Sequence, residues 1–317
     1  MPRRRPETLA RQFRRVARLV GHLPAVRALL HTTETRTMAA TKISWADYTF
    51  NGVIGCTKVS PGCAHCYAET WAQRHRPGGL VPWGNGSRVV TKGPWQDALK
   101  WQREAAASRV RARVFASSLS DVFEDHQVPN EQRPRFWQLV RSCRDLDWLV
   151  LTKRPENIAR MLPSDWSVDA YPHVWLGTSV EDQQRAEERL PHLLGVPARV
   201  RFVSCEPLLG PVNLTDLPLP LGPAREGLRT KLGEGARCNP LHAYALDQLH
   251  WVICGGESGP GHRPMDLAWA RSLRDQCAAH GTAYWFKQTG GAKPGTGEDQ
   301  LDGQLHQAHP RQALPRS

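Results

Sequence analysis

The chain has 317 residues, 40% of them hydrophobic and 23% charged, with a formal net charge of +12 and eight cysteines. This length supports one large core, a barrel-sized domain of about 200–250 residues with appendages. The absence of any apolar run near the ~18 residues of a membrane-spanning helix excludes a helical membrane protein, so a cytoplasmic location is expected.

Residues 1–37 carry nine arginines against two acids, Glu7 and Glu34, so +7 of the total +12 lies in this segment and only +5 in the remainder. Such a segment suits a nucleic-acid arm or a transit peptide. It has no cleavage-site pattern, however, and structured-looking sequence begins only after Met38. A disordered basic extension, with Met38 as the natural start, is the expectation.

Three cysteines then fall in one loop, Cys56, Cys63 and Cys66, followed by a short predicted helix from Tyr67 to Arg76 and a Gly- and Pro-rich connection from Pro77 to Gly86. Beyond it, apolar runs of strand length recur at residues 113–116, 148–151, 174–176, 200–203, 251–254 and 284–286. They alternate with amphipathic stretches at 131–145, 181–194 and 267–280, the last stopped by Gly281. Continuous apolar strands separated by helices predict an α/β fold with a parallel sheet of about six strands. Cys143 and Cys277 fall at helical spacing from apolar neighbours and read as small core residues. Residues 211–249, rich in Pro and Gly, read as an insertion between two strands, and residues 291–317 as a flexible tail.

Nearly every predicted strand ends in polar residues: Ser117 and Ser118 with Asp121 beyond, Thr152-Lys153-Arg154, Thr178 and Ser179 with Glu181, Ser204 with Glu206, Gly256-Glu257-Ser258, and Lys287-Gln288. In parallel α/β folds the carboxyl ends of the strands share one face, where the active site is built. Some of these residues serve equally well as helix caps. Capping does not account for Lys153, Arg154 or Lys287, because a cation near a helix N-terminus gains nothing from the dipole.

The cysteine spacing is C-x6-C-x2-C. Three thiolates in one loop can ligate three irons of a 4Fe-4S cluster and leave the fourth iron open to a small molecule. Zinc is the main rival, since C-x2-C is also a zinc knuckle, but a zinc ion needs a fourth ligand such as His65, His75 or a distant cysteine. A redox C-x-x-C leaves Cys56 without a task. Cys205, Cys238 and Cys254 stand as conceivable but unneeded further ligands.

The run Asn51-Gly52-Val53-Ile54-Gly55-Cys56 with Gly62-Cys63-Ala64-His65-Cys66-Tyr67-Ala68 is similar to the cluster loop of radical S-adenosylmethionine enzymes, especially relatives of spore photoproduct lyase. It differs in the interval between the first two cysteines, six residues here against three, and in placing His65 where those proteins usually have an aromatic residue. Residues 41–290 resemble more closely a bacterial and phage family, the phage gp-thirty-seven and gp-sixty-eight family. The segments that carry this are 41–45, the cysteine loop, 118–123, 151–155, 177–181, 206–210 and 255–260, with Leu301-Asp302-Gly303 in the tail. Thr289 replaces an expected tryptophan.

These resemblances imply a partial or complete (β/α) barrel of radical S-adenosylmethionine type. They imply a 4Fe-4S cluster on Cys56, Cys63 and Cys66, with S-adenosylmethionine bound through its amino and carboxylate groups and cleaved by one-electron reduction. Cofactor-orienting residues would then come from the strand ends: Ser118, Asp121, Thr152, Lys153, Arg154, Thr178, Glu206, Glu257 and Lys287. Glu206 or Glu257 suits ribose hydroxyls, and Lys153 or Arg154 a carboxylate or phosphate. An electron donor protein is an implied partner. Trp71, Trp83, Trp95 and Trp101 with Arg88, Lys92, Lys100 and Arg103 suggest a stacking surface for a nucleic-acid substrate, in lesion repair or modification. The plainer alternative for Trp95 and Trp101 is packing on the barrel. The alternative function is a zinc-stabilised nucleic-acid-binding protein without catalysis; a barrel whose cluster is structural or carries electrons is a further one.

Overall fold

A computed structural model describes residues 41–80, 82–220, 230–231, 233, 235–242, 248–293 and 297–310. The basic extension 1–37 and the start at Met38 lie outside the described residues.

In chain order the elements are β1 (Tyr48–Phe50), β2 (Val53–Ile54), α1 (Tyr67–His75), β3 (Val89–Val90), α2 (Gly93–Ser108), β4 (Ala112–Ala116), α3 (Gln127–Ser142), β5 (Leu146–Thr152), α4 (Ile158–Met161), β6 (Val174–Ser179), α5 (Gln183–Leu194), β7 (Val200–Cys205), β8 (Leu217–Pro218), β9 (Arg237–Cys238), β10 (Trp251–Gly255), α6 (Leu267–His280), β11 (Ala283–Gln288), β12 (Gln300–Leu301) and β13 (Gln304–Leu305). Seven strands form one sheet in the order β1-β4-β5-β6-β7-β10-β11, every neighbouring pair parallel. The fold is α/β, a partial (β/α) barrel. All six strands expected from the sequence are present, and the seventh is β1, three residues whose Tyr-Thr-Phe pattern is too short to register as a strand.

The local chemistry explains the element ends. Asp182 caps α5 by accepting from the Arg185 N–H at 2.8 Å, and Asp266 caps α6 by accepting from the Ala268 N–H at 2.8 Å. Gly281, at φ 67°, ends α6 in the left-handed conformation that a side chain disfavours. The helix expected at 131–145 starts earlier, at Gln127, because His126 accepts the Val128 N–H and Pro129 sits in the first turn, where its missing N–H costs nothing.

The curl follows from the inner face. Phe115, Leu149, Trp175, Val200, Phe202, Trp251, Ile253 and Trp285 point inward from successive strands and pack with Trp45, just before β1. Trp45 reaches Trp251 of β10, ring centroids 6.2 Å apart, and Trp285 of β11 donates to Ser44 Oγ at 3.3 Å, so the two ends of the sheet approach one another. Large aromatics filling the interior make it a packed core rather than a pore. The closeness requires Gly177, where a Cβ would stand 2.4 Å from the Phe202 ring.

The tail differs from expectation. Residues 298–310 are built into the fold: β12 and β13 pair as a hairpin, Leu301 is fully buried, the Phe286 N–H donates to the His306 carbonyl at 2.7 Å and the Ala308 N–H to the Tyr284 carbonyl at 3.1 Å. The free edge of β11 needs such partners, and the tail supplies them. The insertion at 211–249 contributes the small β8–β9 pair and the fully buried Leu214, Leu217, Leu241 and Leu249 among its described residues. No helix among the described residues is long and apolar enough to cross a membrane.

Candidate functional site

The cysteine loop is laid across the carboxyl ends of the sheet strands and fastened to one after another. Tyr67 donates to the Ser118 carbonyl beyond β4 at 2.9 Å. Arg154, beyond β5, donates to the Thr57 carbonyl at 2.7 Å. Ser60 donates to Glu181, beyond β6, at 2.8 Å, and His65 Nδ1 lies 3.0 Å from Glu257, beyond β10. Arg263 bonds Glu257 and reaches the Pro61 carbonyl at 3.0 Å. Gly62 sits where a Cβ would come within 2.4 Å of the Glu181 carboxylate, so the loop approaches that strand end as closely as glycine permits.

Cys56, Cys63 and Cys66 are half-buried free thiols. Cys56 is fixed by the Gly55 N–H donating to the Leu119 carbonyl at 2.9 Å and by the Thr57 N–H donating to Glu124 at 2.9 Å. Burial pushes its thiol up to about 12, with Asp121 adding to the rise and Arg154 opposing it. Cys66 is the N-cap of α1; burial raises its pKa, against the pull of the Glu69 and Ala68 amides at that helix N-terminus. The Tyr67 ring is 50% exposed, yet burial around its hydroxyl raises the pKa.

The other strand-end residues sort into two sets. Asp121, Thr152 and Thr178 are buried in a framework: Asp121 accepts from Thr152 Oγ1 at 2.7 Å, the Lys153 N–H at 3.1 Å and Arg154 at 3.0 Å, and Thr178 donates to the Thr152 carbonyl at 2.9 Å. Ser118 joins them, its N–H donating to Asn51 Oδ1 at 2.9 Å and its hydroxyl accepting from Asn51 Nδ2 at 3.0 Å. The second set forms ion pairs at the mouth. Lys153 donates to Ser179 at 3.0 Å and lies 3.9 Å from Glu181; Lys287 pairs with Glu206 at 2.7 Å, and Glu206 also accepts from Ser204 and from Trp45 Nε1. Burial works against the Glu257 charge, but hydrogen bonds from Arg263 and His65 outweigh it and hold the carboxyl at about 2.

Sequence reasoning missed Arg263, Ser60 and the Arg88–Glu124 pair as parts of this assembly. Arg88, expected on a nucleic-acid surface, is instead a buried strut that holds Glu124 through two bonds of 2.8 Å. The stacking surface shrinks for the same reason: Trp95 and Trp101 are buried in the face of α2 that packs on the sheet, and Trp83 is half-buried. Trp71, on α1, keeps 36% of its surface exposed, and Lys92, Lys100 and Arg103 are exposed.

Among the described residues, no group of three or more His, Cys, Asp or Glu side chains converges on a position for a single metal ion. A mononuclear zinc site needs that convergence, and His65, the nearest zinc candidate, is engaged with Glu257. A cluster takes one thiolate per iron, so its ligands stand further apart around a larger body. The three cysteines are free thiols of the donor type a cluster takes, Cys56 beside the Arg154 guanidinium and Cys66 at the N-terminus of α1.

Fold and site together define a parallel α/β partial barrel whose strand ends are covered by a three-cysteine loop. Residues 40–310 match the family model described as "Protein of unknown function (DUF5131)", and the chain belongs to that family. No curated protein and no solved structure matches it.

Proposed function

We propose that this is an iron-sulfur protein of the radical S-adenosylmethionine type, related to the phage gp-thirty-seven and gp-sixty-eight proteins, in which Cys56, Cys63 and Cys66 hold a 4Fe-4S cluster. The observation that carries this reading is the fastening of the cysteine loop over the ends of β4, β5, β6 and β10. A structural metal knuckle has no need to cover a barrel mouth; a cofactor that must meet a substrate does. Bound there, the cluster would supply one electron to the sulfonium of S-adenosylmethionine.

The chain's own residues bind and orient. Lys153 and Lys287, both partly exposed, present ammonium groups toward the mouth for the cofactor carboxylate, while Glu181 and Glu206 keep them in place through their pairs. Glu257, ionised across the physiological range, is an acceptor for ribose hydroxyls or for the cofactor's amino group. Asp121, Thr152 and Thr178 keep the strand ends rigid beneath them, which holds the reacting partners in one geometry. Val59, 46% exposed, and the exposed Pro61 and Ala64 give the loop an outward face that an electron donor protein can approach. A nucleic acid remains the proposed substrate class, met by Tyr67 and Trp71 at the rim. Anaerobic reconstitution with iron and sulfide, followed by analysis of both elements and of zinc, tests the cluster. Stoichiometric zinc with no sulfide would replace this reading with the zinc-stabilised one.

A further inference from the structure

Beneath Cys56 lies a closed set of four buried charges from three separate parts of the chain, Arg88, Asp121 with Glu124, and Arg154. Arg154 projects Nη1 to within 3.5 Å of Cys56 Sγ and 3.0 Å of Asp121 Oδ2, and Nη2 to within 2.7 Å of the Thr57 carbonyl and 3.4 Å of Glu124 Oε1. Glu124 accepts in turn from Arg88 and from the Thr57 N–H. All four side chains are at least nine-tenths buried. Two cations against two anions make the set neutral, so it holds together without a further ion; yet Arg154 spends one of its donors on sulfur. Among the described residues, Cys56 is the one of the three proposed ligands whose sulfur receives a hydrogen bond from a charged side chain.

We propose that Arg154 is a positioning residue that sets the reduction potential of the cluster held through Cys56; this rests on the cluster reading above. Reduction adds one negative charge to the cluster. A guanidinium donating to a ligand sulfur favours the more negative state, and hydrogen bonds to sulfur and local charge are established determinants of cluster potentials. In low dielectric such a charge acts strongly on its neighbour. Asp121 acts in the opposite sense: its carboxylate shares the Arg154 guanidinium, so neutralising it frees positive charge toward the sulfur. The pair Arg154 and Asp121 would thus adjust how readily the cluster accepts an electron without either residue ligating iron.

The experiment is a dithionite and mediator titration of the reconstituted full chain, followed by the paramagnetic resonance signal of the reduced cluster. Arg154→Gln is expected to lower the ratio of reduced to oxidised cluster at a fixed potential at least tenfold, a midpoint about 59 mV more negative for one electron. Asp121→Asn is expected to move it the other way, and Arg154→Lys, which keeps the charge but loses the fork, to fall between wild type and Arg154→Gln. If Arg154→Gln does not fold, the Lys and Asn variants still give opposite displacements. Variants with full iron and sulfide and the wild-type midpoint would overturn the proposal while leaving the cluster reading intact. A wild-type chain that binds no cluster would overturn both.

Discussion

Each cysteine of the loop stands in a different electrostatic setting, and their consequences differ. Cys63 lies in the turn Pro61–Cys63, its sulfur 3.8 Å from Ser60 Oγ. Cys63→Ala is expected to abolish cluster assembly while leaving the fold in place, read as iron and sulfide content against circular dichroism; full retention of both elements would show the ligand assignment to be wrong. Gly62 is held against Glu181, so Gly62→Ala should cost about 1–3 kcal/mol, seen as a lower denaturation midpoint. Glu257 gives a pH signature. Its folded pKa of about 2 lies below its ordinary 4.5, so its contribution is fully present above about pH 4.5 and is lost as pH falls through 2. Wild type should therefore exceed Glu257→Gln in stability at neutral pH, and the gap should narrow as pH falls from about 4.5 toward 2. A constant gap across that window would show that the carboxylate is not the source. At this scale the cysteines were legible because close spacing in one loop is itself the signal. Glu181, Glu124 and Arg88 as a supporting set were not, because their partners lie tens of residues away and charge alone does not say which acid an arginine will choose.

At the scale of elements, strands buried on both faces write continuous apolar runs, and that is why β4 through β11 of the sheet could be read directly. The end of α6 was legible through Gly281, whereas the caps Asp182 and Asp266 are shown by the structure. The tail was not. Its Gly and Pro content signals irregular chain, and nothing local distinguishes a loose segment from one whose irregular backbone completes a sheet edge. Leu301 decides between them: fully buried under α6 and β11, it should lose about 2–5 kcal/mol on replacement by Ala, measured by urea unfolding. A change within experimental error would mean that residues 298–310 are not docked in solution. The insertion shows the same limit, since its prolines hide Leu214, Leu217, Leu241 and Leu249, all fully buried among its described residues.

The molecule as a whole is a sheet curled by its aromatic interior so that six polar strand ends come to one mouth. The twelve tryptophans of the chain serve that interior more than any surface: Trp45, Trp175, Trp251 and Trp285 fill the barrel, and Trp95 and Trp101 seal α2 against it. Composition alone suggested an aromatic surface for nucleic acid because it counts residues without saying which way they face. What the sequence pattern did convey was that polar residues follow each strand, and parallel topology then required them to share a face. The loop over that face is the feature on which the proposed function turns. The most direct test is the formation of deoxyadenosine from S-adenosylmethionine by the anaerobically reconstituted, dithionite-reduced full chain. The account predicts deoxyadenosine from wild type and none from Cys63→Ala; a wild-type chain that carries its full iron and sulfide and forms no deoxyadenosine would contradict it.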